Sequence, residues 1–187
     1  FSRRHLAHVM PMDPEAFRQG GDGYLSAVVP LYGASRSFET PISGYRLHGS
    51  QHSRFSSAYA KRSRWCIAHD AERYRAIREH SNRLGLRVAA DLGADDPDNI
   101  HERLVSMLFA PGEHPVEGDS IKQLAHRSAR YEKGHATGVR SLFAYIFWGL
   151  FGLLPASGKR RLMSWKIDAK SRPGWMRYLA KRLRAGG

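Results

Sequence analysis

The feature that most constrains this chain is the stretch 141–158, SLFAYIFWGLFGLLPASG, eighteen consecutive residues without a charge, twelve of them apolar. Arg140 precedes it and the triplet Lys159-Arg160-Arg161 follows. As a helix rising about 1.5 Å per residue it would run about 27 Å, just short of a hydrocarbon core of about 30 Å. Its eight Leu, Ile and Phe side chains would contribute roughly −2 to −5 kcal/mol on an insertion scale, which Gly149, Gly152, Ser141 and Pro155 reduce. Tyr145 and Trp148 add amphipathic rings. The expectation is one transmembrane helix over 139–158, bent or ended at Pro155. A buried helix of a globular core is the competing reading of so short a run.

Charge placement favours the membrane. The 187 residues carry a net +13, which by itself suggests a nucleic-acid partner. From Lys159 onward, however, ten Lys and Arg face one acid, Asp168, a net +9 in 29 residues; the other 158 residues hold twenty basic and sixteen acidic side chains. The excess is a basic tail, 159–187, behind the apolar run. Leu162, Met163 and Ile167 alternate with Lys166 and Lys170, and after Pro173 the residues Trp175, Met176, Leu179 and Leu183 line one side opposite Arg177, Lys181, Arg182 and Arg184. Helices of this kind suit the plane of a membrane interface. Lys159, Arg160, Arg161, Trp165, Lys166, Trp175 and Arg177 are the expected lipid-binding residues, with cardiolipin the anionic lipid that best suits the triplet beside Trp165.

Ahead of the run the chain divides into an irregular arm, 1–56, and a helical region, 57–138, so that the fold class is mainly α. Pro11, Pro14, Pro30 and Pro41 interrupt long helices, Gly20-Gly21-Asp22-Gly23 reads as a flexible turn, and 24–32 as a short edge strand limited by Pro30. The opening ten residues have Arg, His and apolar side chains without an acid, a composition like that of a mitochondrial targeting region. Residues 58–84 are the strongest amphipathic pattern. Ile67, Ala71, Tyr74, Ile77, Ser81, Leu84 and Val88 share a stripe, with Arg64, Arg73, Arg75, Arg78 and Arg83 largely off it. Asp96 and Pro97 start a second helix as N-cap and first residue, which continues through Ile100, Leu104, Val105 and Leu108 to Pro111-Gly112. A third is expected from a cap at Asp119 through Ile121, Leu124 and Ala125 towards Tyr131.

Few residues promise chemistry. Cys66 and His69 stand one helical turn apart, a spacing able to supply two zinc ligands, but tetrahedral zinc needs two more and no second pair occurs. His80, His101 and His114 would have to be brought in by folding. His69-Asp70 and His101-Glu102 are adjacent pairs whose side chains diverge on a helix, and Cys66 lacks an activating neighbour. The glycine cluster lacks the Gly-Lys-Ser/Thr of a phosphate loop, and the acids at 95–98 lack the glycine and terminal glutamate of a calcium loop. No catalytic residue, cofactor or metal is expected.

The build, with arm, helices, span and basic end, resembles accessory subunits of large mitochondrial inner-membrane assemblies, a likeness that no motif carries. It implies a non-catalytic subunit of a respiratory-chain or ATP-synthase-type complex, single-pass in the inner membrane with its tail on the matrix side, whose partners are other subunits of the complex and anionic lipid. The alternative is a mitochondrial ribosomal or other RNA-binding protein whose basic segments hold nucleic acid.

Overall fold

The computed structural model describes residues 2–36, 39–40, 44, 59–135, 138–168 and 171–176; of 138–141 and 143 it describes the backbone alone. The architecture is mainly α, with no strand among the described residues. Among the described residues seven α-helices follow one another: α1 Arg3–Val9, α2 Gly21–Val28, α3 Tyr59–Arg83, α4 Pro97–Phe109, α5 Ile121–His135, α6 Gly138–Leu153 and α7 Ala156–Ile167. Short 3-10 turns follow α2 at Val29–Tyr32 and α4 at Pro111–Glu113.

The 25-residue α3 is the shared wall of two cores. One face takes the amino-terminal helices, where Val9, Phe17, Tyr24, Val28 and Val29 close on Ala76. The opposite side meets α4 through polar contacts. Ser63 Oγ donates to Glu102 (2.6 Å), and Asn99 Nδ2 donates to Asp70 (3.0 Å), which also accepts from Arg73. Asp70 and Asn99 are both buried, so each needs the other: a charge taken out of water must be paired. The start of α4 is fastened by Asp96, whose carboxylate accepts from the amides of Asp98 and Asn99 and from Tyr74 Oη (2.8 Å).

The second core joins α4 to α7. Ile100, Leu104, Val105 and Leu108 of α4 pack with Leu124, Ala125 and Ala129 of α5, Trp148 and Phe151 of α6, and Met163 of α7. One side of the apolar run thus packs into this core, through Trp148 and Phe151. No helix among the described residues is long and apolar enough to cross a membrane, so the expected span over 139–158 lacks support. Two physical reasons account for this. Pro155 has no amide to donate and its ring crowds the preceding turn, so α6 ends at Leu153 and α7 starts anew with Pro155 as its N-cap. In addition, one face of α6 is committed to α5, with Phe151 fully buried.

The amino-terminal arm also departs from expectation over its described part. Arg3–Val9 and Gly21–Tyr32 are helical, not irregular or strand. Pro30 lies in the first turn of its 3-10 helix, where a missing amide costs nothing. Gly20, at φ +81°, is the N-cap of α2. A Cβ there would stand 2.5 Å from His69 Nε2, and one on Gly23 would stand 2.7 Å from His69 Cε1. The glycine cluster is therefore a tight seat for a histidine rather than a flexible turn. Of the arm, residues 1, 37–38, 41–43 and 45–56 lie outside the described residues.

Helices α3, α4 and α5 match the expected positions closely. The one difference in capping is at α5, where Ser120 Oγ accepts from the Gln123 amide (3.1 Å). The carboxylate of Asp119 is engaged elsewhere: Arg103 grips it with two nitrogens and His114 Nε2 donates to it (3.0 Å).

Candidate functional site

Helix α6 is apolar on both sides, but the sides have different fates. Ala144, Phe147, Trp148 and Phe151 turn inward, spaced 4 or 3 apart along the helical stripe from 144 to 148 to 151. Leu142, Tyr145, Ile146, Leu150 and Leu153 turn outward and are exposed, Leu150 at 57% and Leu153 at 77%. Their spacing also follows one stripe, so the five form a continuous apolar strip. From 138 to 167 no acidic residue occurs, while Lys159, Arg160 and Arg161 follow directly beyond the break.

The expected lipid-binding residues are divided by the fold. Arg161 is exposed, with its guanidinium carbon 5.4 Å from the Trp165 ring centroid. Lys159 is half-buried in the first turn of α7, and Trp175 is 62% exposed. Arg160 turns back on the protein, where its Nε donates to the Leu108 carbonyl at the end of α4 (2.8 Å). Lys166 lays its ammonium over the face of Trp148, 4.5 Å from the centroid, and desolvation there lowers its pKa from the ordinary lysine value. Arg177 lies outside the described residues. Arg160 and Lys166 therefore act as tethers of α7 although both are exposed, while Lys159 and Trp165 are half-buried and Arg161 and Trp175 exposed.

His69 and His80 are occupied with structure. Tyr24 Oη donates to the Val9 carbonyl (2.7 Å), so its oxygen accepts from His80 Nε2 (3.0 Å), and Tyr32 Oη donates to His80 Nδ1 (2.7 Å). Such a chain suits a neutral imidazole, with one ring nitrogen donating and the other accepting. Burial, followed by the nearby Arg83, lowers the His80 pKa accordingly. His69 donates to the Gly20 carbonyl (3.1 Å) and stacks on Trp65. His101 is pushed down to about 4, first by burial and then by Lys166 and Arg62; its Nδ1 is buried without a partner. Burial opposes ionisation of Asp119, but hydrogen bonds from Arg103 and His114 outweigh it and hold that carboxyl below its ordinary pKa.

Cys66 is raised to about 11 by burial and then by the Glu102 charge, so at neutral pH it is a thiol, neither an activated nucleophile nor a ready metal ligand. Among the described residues no group of three or more His, Cys, Asp or Glu is placed to hold a metal ion.

Five of the six arginines of α3 are spoken for as well, Arg83 being the exception. Arg62 faces Glu102, Arg64 pairs with Glu113, Arg73 with Asp70, and Arg75 with Glu72, Glu79 and Asp13. Arg78 donates to the Ala90 carbonyl. A face that looks cationic in sequence is largely neutralised in place.

Sequence reasoning took the apolar run as a whole and missed that only one side of it is available. The signal was present: two interleaved stripes of period 3.6, one of which had to meet the amphipathic faces of α4 and α5. It also missed Lys122 and His126 of α5, which border the outward side of α6. No family model matches the chain, and neither a curated protein nor a solved structure is detectably similar to it.

Proposed function

We propose that this chain is a non-catalytic accessory subunit of a large membrane assembly, seated on the bilayer surface through the outward side of α6 and the basic start of α7. The observation that carries the reading is the exposed strip of Leu142, Tyr145, Ile146, Leu150 and Leu153, continuous in sequence with three cations and free of acids. An amphipathic helix with this layout lies in the interface plane, its apolar side about 5–10 Å into the headgroup boundary. Burial of Trp148 and Phe151 against α5 argues for an in-plane helix rather than a single-pass span. The assembly that suits the composition is a respiratory-chain or ATP-synthase complex of the mitochondrial inner membrane, with cardiolipin as the anionic lipid. The RNA-binding alternative loses force because five of the six α3 arginines are engaged by acids or a carbonyl of the chain itself.

Vesicle flotation tests the reading. At about 1 kcal/mol for each cation near an anionic surface, replacing Lys159 and Arg161 by Gln weakens binding to cardiolipin-containing vesicles about 30-fold. Leu150→Glu with Leu153→Glu abolishes it. A wild-type chain that stays unbound, or binds neutral and anionic vesicles equally, overturns the proposal.

A further inference from the structure

Two adjoining concavities meet on the α5–α6 hairpin. A shallow apolar trough of about 320 Å³ runs between the helices, lined by Ala125, Ala129, Ile146, Gly149, Leu150 and Leu153 and bordered by Trp148. Its volume is at the lower end for small-molecule sites. A more polar cleft of about 580 Å³ lies beside it on α5, with Arg127, Arg130, Asp91 and Asp95 among its lining. Lys122 and His126 belong to both, so they form the ledge on which apolar trough and polar cleft meet. In the cleft Arg130 pairs with Asp95 and Arg127 donates to the Ala94 carbonyl. Among the described residues Lys122 has no carboxylate within ion-pair distance.

Gly149 and Gly152 of α6 differ in what they accomplish. A Cβ on Gly152 would touch Ala125 Cβ at 3.9 Å, whereas one on Gly149 would meet nothing within 4 Å. A glycine inside a helix is less favourable than alanine. At Gly152 close approach to α5 offsets that cost. At Gly149 nothing among the described residues does; the missing side chain leaves the trough open.

We propose that the trough holds one acyl chain of an anionic phospholipid, with its phosphate on Lys122 and His126. Apolar walls ending at an unpaired cation match the head-to-tail polarity of such a molecule. The proposal rests on the membrane reading only for the source of the lipid, and its test uses no membrane.

Monomeric lysophosphatidylglycerol with a brominated chain, below its micellar concentration, is titrated into the full chain carrying Trp65→Phe, Trp165→Phe and Trp175→Phe, which leaves Trp148 as the reporter. Saturable quenching is expected. Gly149→Leu, which has room for its Cβ and gains helix propensity, fills the trough and abolishes it. Lys122→Gln weakens binding about fivefold, and a phosphocholine headgroup binds more weakly by a similar factor. Equilibrium dialysis of the same lipid against the unaltered chain and Gly149→Leu gives the comparison without tryptophan replacement. One site per chain that disappears in Gly149→Leu supports the proposal. Equal uptake by the two chains, or quenching that does not saturate, overturns it. Lipid bound in the trough with no flotation on vesicles would sink the membrane seat alone.

Discussion

Phe151 and Leu150 are neighbours on one apolar helix, yet the fold assigns them opposite energetics. Phe151 is fully buried, packed on Trp148 at a ring distance of 5.4 Å and within the cluster of α4, α5 and α7. Replacing it by alanine removes its transfer free energy and leaves a cavity in a core that collapses only partly, a loss of about 3–5 kcal/mol. Leu150, at 57% exposure, has little packing to lose, and Leu150→Ala stays within about 0.5 kcal/mol. For a chain of this size each kcal/mol shifts Tm by about 2–4 °C, so Phe151→Ala lowers Tm by roughly 6–20 °C while Leu150→Ala leaves it nearly unchanged. Circular dichroism in detergent-free buffer, by heat and by urea, measures both. The pairing makes the result diagnostic: a lipid-facing helix would tolerate both changes alike in water. Equal losses at the two positions, or a larger loss at Leu150, would refute the assignment of faces on α6.

Two further outcomes follow from the polar interior. His101 has its folded pKa depressed to about 4 against an ordinary 6.5, so the unfolded chain binds the proton first as pH falls; stability is lost between about pH 6.5 and 4, by about 3 kcal/mol, and urea titrations of His101→Asn should show that much less acid sensitivity, whereas an identical pH profile would contradict a buried neutral imidazole. Asp96→Ala removes the α4 N-cap and the acceptor of Tyr74 and costs about 1–3 kcal/mol, while Asp96→Asn, which still accepts, recovers most of it in the same urea midpoint.

The helices that were legible in sequence announced themselves twice, by a period and by a cap. In α4, Asp96-Pro97 and the spacing of Ile100, Leu104 and Leu108 point to one element, and Asp96 caps it. The amino-terminal helices lacked that agreement. Pro11, Pro14 and Pro30 were read as interruptions, but they fall at the edges of short elements, where proline is tolerated. Tyr24 and Val28, both buried, have the i, i+4 spacing of a helix that the β-branched pair Val28-Val29 obscured. The role of the glycines was out of reach, because His69 comes to Gly20 from 49 positions away. The tail residues were read by composition, which cannot tell that Arg160 and Lys166 turn onto Leu108 and Trp148.

The apolar run illustrates how a count of charges can mislead where a phase would not. A helix is apolar all round when both of its sides leave water, and two surroundings satisfy that condition: lipid on every side, or protein on one side with another apolar partner on the other. Length distinguishes them, since a span needs about 20 residues without a break. Here Pro155 ends the helix at 16 residues. The facing helices distinguish them too. Leu104 and Leu108 of α4 and Leu124 and Ala125 of α5 are apolar stripes that need cover, and α6 with α7 follows them in the chain. Once Trp148 and Phe151 have supplied that cover, Leu142, Ile146, Leu150 and Leu153 are apolar beyond what the fold requires. Exposed apolar strips of this kind mark contact surfaces, and the neighbouring cations, without an acid from 138 to 167, support the anionic lipid surface we propose against this one.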